Sequence, residues 1–92
     1  MTKTIWKFLF ETTDFFTLDL PVGAEILAVA LQRGQPCIWV LCDPKAGKET
    51  RIFVVYGTGH PIYHCSDKKY IGTYQLSGNG LVFHLFEEIN EP

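Results

Sequence analysis

Glu25-Ile26-Leu27-Ala28-Val29-Ala30-Leu31-Gln32-Arg33-Gly34-Gln35-Pro36-Cys37-Ile38-Trp39-Val40-Leu41-Cys42 is the stretch that sets the fold class. Its first part, Glu25 to Gln32, and its last, Cys37 to Cys42, are apolar on both faces, and Arg33-Gly34 supplies the turn between them. The segment reads as a β-hairpin. Ala24 to Gln32 has room for one or two helical turns, but Ile26, Val29 and the Arg-Gly turn favour a strand.

Working outward toward the N-terminus, Trp6, Phe8 and Phe10 share one side of a strand whose other side carries Lys7 and Glu11. Phe16, Leu18 and Leu20 then alternate with Thr17 and Asp19 until Pro21-Val22-Gly23 stops the run. These two strands are expected to form a first hairpin. Toward the C-terminus, Asp43 to Lys48 is a polar loop, and the β-branched and aromatic run Arg51 to Tyr56 is a fifth strand. Gly57-Thr58-Gly59-His60-Pro61-Ile62 forbids a regular element and opens an irregular stretch through Asp67-Lys68-Lys69, the longest candidate functional loop. Tyr70 to Leu76 and Leu81 to Phe86 flank Ser77-Gly78-Asn79-Gly80 as a closing hairpin. The expectation is one all-β domain over residues 1–92, with about seven strands in a small antiparallel sandwich or partly closed barrel.

With 92 residues there is room for one modest core. Eight Lys and Arg against ten Asp and Glu leave a net charge of −2, so the broad cationic field that holds a nucleic-acid polymer is absent. The longest apolar runs, such as Cys37 to Cys42, fall far short of the roughly 18 residues of a membrane span. Lys7 interrupts the start where a signal peptide needs continuous apolar sequence, which points to the cytoplasm, of the host cell if the gene is viral. Cys37, Cys42 and Cys65 are odd in number, which disfavours a disulfide scaffold. Cys37 and Cys42 fall on opposite faces of one strand and cannot chelate an ion together.

A small two-layer domain covers one face of each sheet, yet three of these strands are apolar on both. A homo-oligomer is the economical way to cover the surplus. A tightly wrapped barrel is the alternative.

The glycine loop has the composition of a phosphate cradle, but the helix that follows in nucleotide-binding motifs is missing, and a structural bulge and turn reads equally well. His60, His64 and Cys65 are soft ligands at permissive spacing with no evident fourth partner, so no metal site is expected. Cys65 and His64 point apart in an extended chain, which argues against a thiol nucleophile. His84 shares a strand face with Val82 and Phe86 and reads as either a hydrogen-bonded core histidine or part of a pocket floor, the core being favoured. Glu87, Glu88 and Glu91 read as a solvated acidic tail, and Asp14, Asp19 and Asp43 sit near turns, so no general acid/base pair stands out. No catalytic residue, metal or cofactor is assigned, and the protein reads as a binder and not an enzyme. The groups for binding are Trp6, Trp39, Tyr56, Tyr63, Tyr70 and Tyr74, with Lys7, Arg51, Lys68, Lys69, Thr73 and Gln75.

Ile5-Trp6-Lys7-Phe8, Pro21 to Leu27, Gly34 to Trp39, Gly57 to Ile62, Tyr70 to Gln75 and Leu81 to Glu87 together resemble a family of small β-domain proteins encoded by bacteriophages and prophages. Small phage proteins of this kind include the sequestering sponges of the Sequestin and Lockin families, which bind immune signalling nucleotides. The resemblance implies a phage anti-defence protein that binds an ADP-ribose-derived or cyclic nucleotide without cleaving it, and it carries over no catalytic residue. On that reading Gly57, Thr58, Gly59, His60 and Arg51 take the phosphates, Trp39 or Tyr70 stacks on the base, and Thr73 and Gln75 give polar recognition. The alternative is a protein-binding inhibitor or adaptor that occupies a host enzyme through a hydrophobic β surface. A third reading, metal-assisted hydrolysis through His60 and His64, would show as turnover abolished by a chelator.

Overall fold

The computed structural model describes residues 2–89. Its strands are β1 (Thr4–Leu9), β2 (Phe15–Pro21), β3 (Glu25–Gln32), β4 (Gln35–Cys42), β5 (Lys48–Gly57), β6 (Lys68–Gln75) and β7 (Val82–Glu88), with a short 3-10 turn at Cys65–Asp67. They form two antiparallel sheets, a three-stranded one in the order β1-β4-β3 and a four-stranded one in the order β2-β5-β7-β6. The all-β, seven-strand expectation holds in its sandwich form, and the barrel does not. Hydrogen-bonded ladders run only within each sheet, and the Cα atoms fill a slab of 41 × 35 × 15 Å.

Two of the three expected hairpins are present, β3–β4 about Arg33-Gly34 and β6–β7 about residues 77–80. The first is not: β1 pairs with β4, and β2 pairs with β5 in the other sheet. The Phe10 amide still donates to the Pro36 carbonyl of the first sheet, whereas Asp14 already accepts from the Val55 amide of the second. Residues 11–13 are therefore a crossing between layers, and their polarity, which mimics a tight turn, marks that crossing.

Period-two alternation selects the core. Leu20, Ile38, Val40, Phe53 and Leu85 lose all contact with water, and Phe10 stacks on Phe16 (4.6 Å), which stacks on Phe53 (5.2 Å). Each such side chain contributes about 1.5–3 kcal/mol by burial alone. At one edge of the slab β3 lies over β6, where only a glycine at position 72 fits beneath Val29.

The opposite parity of each strand gives two outer faces. On the three-stranded sheet the cross-strand rows are Lys7–Trp39–Ala28 and Leu9–Cys37–Ala30, with Gln35 beside Gln32 near the hairpin end. On the four-stranded sheet one row crosses all four strands as Phe15–Val54–Phe86–Tyr70.

Two side-chain expectations need correcting. His84 is half-buried on an outer face, paired with Tyr56 and Thr73, because inner and outer residues alternate along β7 and the core position falls to Leu85. Glu87 and Glu88 lie within β7, not in a solvated tail. Glu87 chelates Arg51, and Glu88 pairs with Lys68 at 3.4 Å. Glu91 lies outside the described residues.

Candidate functional site

The residues nominated for ligand binding divide among three places. Arg51 points between the sheets. Its Nε and one terminal nitrogen donate to the two oxygens of Glu87 (2.5 and 2.8 Å), and its other terminal nitrogen donates to the Ala24 carbonyl (2.5 Å). Glu87 raises the guanidinium pKa above its already high ordinary value against the opposing effect of burial. This arginine ties the four-stranded sheet to the β2–β3 turn. It also sits about 20 Å along β5 from Gly57 at the usual strand rise, so it does not join the glycine loop at a phosphate.

On the four-stranded sheet, Thr58, Tyr70, Thr73 and His84 do come together. The Tyr70 hydroxyl is 2.5 Å from Thr73 Oγ1, Thr73 Oγ1 is 2.9 Å from His84 Nδ1, and His84 Nε2 is 2.8 Å from Thr58 Oγ1. The relay links strand residues to the glycine loop, and His84, nominated from sequence for the core, is its hub. The loop itself is a turn. The His60 amide donates to Gly57 O (3.1 Å) and the Thr58 amide to Val82 O (3.4 Å), so both donors are spent inside the chain. Gly59 takes φ +91, a conformation open to glycine, and the His60 ring lies against Gly57. Gly57, Thr58, His60 and Gly80 to Phe83 line a hollow of about 400 Å³. Gln75 donates to the Gly80 carbonyl behind it (3.1 Å). No lysine or arginine lines this hollow, which makes it suited to neutral groups and poor for phosphate.

Trp39 lies on the other sheet, half-buried and directly opposite Lys7 across β1–β4. Here a second hollow of about 480 Å³ is lined by Lys7, Leu9, Gln32, Arg33 and Gln35. Lys7 Nζ donates to Gln32 Oε1, spanning from β1 to β3 above the small residues Cys37 and Ala30 that lie between them in register. Arg33 occupies the left-handed corner of the β3–β4 turn (φ 54) and is exposed. Gln35 is braced by donation from Nε2 to the Phe10 carbonyl (2.7 Å). Both cations project from one face, none of the five lining residues is acidic, and the aromatic ring stands in the neighbouring row. The hollow falls within the roughly 300–1,000 Å³ of small-molecule sites.

Lys7 and Trp39 each carry a visible chemical signal in the sequence. What the sequence hides is their adjacency, because it depends on β1 pairing with β4 across some thirty residues of chain. Gln32, Arg33, Gln35 and Leu9 give no signal of their own. His64 is at φ 57 and Cys65 is exposed, and among the described residues no group of three or more His, Cys, Asp or Glu is placed to hold a metal ion. Cys37 and Cys42 are buried thiols. Among the described residues no helix is long and apolar enough to cross a membrane.

Fold and surface together define a two-sheet antiparallel β-sandwich domain that gathers cations, amides and an aromatic ring on one outer sheet face. The chain belongs to the family described as Domain of unknown function (DUF7352), which matches it over residues 1–92. No curated protein and no solved structure matches it.

Proposed function

We propose that this domain captures a small nucleotide-type signal and holds it without cleaving it, on the outer face of the three-stranded sheet. The observation that carries the reading is a hollow of about 480 Å³ lined by Lys7 and Arg33, with Trp39 directly across the strand pair from Lys7 on the same sheet face. The two cations meet the charge of a phosphate or pyrophosphate, the indole offers a flat surface to a base, and Gln32 and Gln35 supply amide groups at the rim. The biological setting, sequestration of an ADP-ribose-derived or cyclic nucleotide in the cytoplasm of a phage-infected cell by a homo-oligomer, is supported by the resemblance of the stretches quoted above to phage proteins. The alternative of a protein-binding inhibitor or adaptor draws its support from the apolar row across the four-stranded sheet.

The test is a melting-temperature screen with ADP-ribose and a cyclic dinucleotide as probes, followed by heat release and mass analysis of the probe. Capture raises the melting temperature with one of them and returns it intact. Recovery of a hydrolysed product, or no shift with either, overturns the proposal.

A further inference from the structure

We propose that the outer face of the four-stranded sheet is the interface of a homodimer, closed by a second copy of this chain about a two-fold axis running along the row Phe15–Val54–Phe86–Tyr70. This specifies the surface behind the oligomeric part of the reading above and does not depend on the ligand.

The row is apolar from one sheet edge to the other, and Ile52 and Tyr56 extend it on either side along β5. Phe15 and Tyr70 are 65% and 55% exposed in the single chain, while Phe86 is packed edge-on by Tyr56 and Tyr70 at 5.6 and 5.4 Å. The aromatic surface is thus braced before any partner arrives.

The polar groups of the face decide what kind of partner suits it. Both ring nitrogens of His84 and the hydroxyl of Tyr70 already have partners on this same surface, in Thr58 and Thr73. Drying the face therefore strands neither ring nitrogen of His84 nor the Tyr70 hydroxyl, and for them the usual penalty of about 1–3 kcal/mol for an orphaned polar group is avoided.

Charge and area point to a second copy. The charged residues of the face, Asp19, Lys48, Lys68 and Glu88, lie at one end of it, and Lys68 is paired with Glu88. A two-fold axis along the row lays that end over the Thr58, Thr73 and Gln75 end of the partner copy, so like charges do not meet, and each row residue faces its own equivalent. The slab exposes 6005 Å², against roughly 5,400 Å² for a compact monomer of this mass. Four strands at the usual rise and spacing give a footprint of about 500 Å² before side-chain relief, of the same order as the roughly 800 Å² per partner of a standard interface.

The experiment is sedimentation equilibrium over a concentration series without nucleotide, on the wild type and on Phe15→Lys, Tyr70→Lys and Ile5→Lys. Phe15 and Tyr70 are more than half exposed in the chain, so their substitution leaves the fold intact by far-ultraviolet circular dichroism. Ile5 lies on the outer face of the other sheet and serves as the control. The wild type and Ile5→Lys are expected at twice the chain mass, and Phe15→Lys and Tyr70→Lys at the single-chain mass. A wild type that stays monomeric throughout, a dimer that survives both Phe15→Lys and Tyr70→Lys, or one lost only in Ile5→Lys overturns the proposal. Each of those results leaves the nucleotide reading standing.

Discussion

Val29 of β3 stands so close above Gly72 of β6 that a Cβ on the glycine would lie 2.6 Å from the valine Cγ1. Close approach at this edge lets the two sheets meet without a shared ladder, and β-branched Val29 cannot retreat without moving its strand. Gly72→Ala is expected to cost about 1–3 kcal/mol by overpacking. Urea unfolding should show a lower midpoint at unchanged slope, and Val29→Ala in the same chain should recover part of the loss. An additive double variant would deny the contact.

Arg51 and Glu87 form a two-pronged ion pair with side chains only 17% and 12% exposed. Glu87→Gln keeps the shape and removes the charge, leaving a guanidinium between the sheets without its counterion. The expected loss is about 1–3 kcal/mol, below the value for a fully buried pair because solvent still reaches this one. The same variant should not alter nucleotide affinity, since Arg51 is committed to Glu87 and Ala24. A fall in affinity with unchanged stability would return Arg51 to the ligand site.

Tyr74 is 4% exposed, and burial pushes its phenol above the ordinary value, against a smaller opposing effect of its hydrogen bond with Thr12 (2.9 Å). The folded chain thus holds the phenolic proton more tightly than the unfolded chain. Its contribution to stability is complete below about pH 10 and is lost as pH rises from there through the folded value. Denaturation midpoints measured against pH should fall on the alkaline side. Tyr74→Phe should flatten that fall while losing about 1 kcal/mol at neutral pH with the hydrogen bond.

The strands and two of the hairpins are legible because they rest on local signals, namely alternation, β-branched runs and the turns at Arg33-Gly34 and residues 77–80. The sheet assignment is not. Thr12-Thr13-Asp14 has the composition of a tight turn whether the chain reverses within a sheet or crosses to another, and here it crosses. The same ambiguity placed Arg51 beside the glycine loop when its side chain faces the interior, and hid Lys7 beside Trp39. His84 was misplaced for a related reason. Sharing a face with Val82 and Phe86 identifies an apolar face, but not which of two apolar faces lies inward. Glu87 looks like part of an acidic tail until β5 is seen beside β7, which brings Arg51 to it.

The central claim is that a nucleotide sits against the cations of the three-stranded sheet and leaves unchanged. Calorimetric titration of ADP-ribose and of a cyclic dinucleotide into the wild type and into the Lys7→Ala, Arg33→Ala double variant tests it most directly. Saturable binding of one probe by the wild type, weakened at least about tenfold in the double variant and by added salt, is the predicted result. Equal affinity in both proteins, or no heat with either probe, contradicts it.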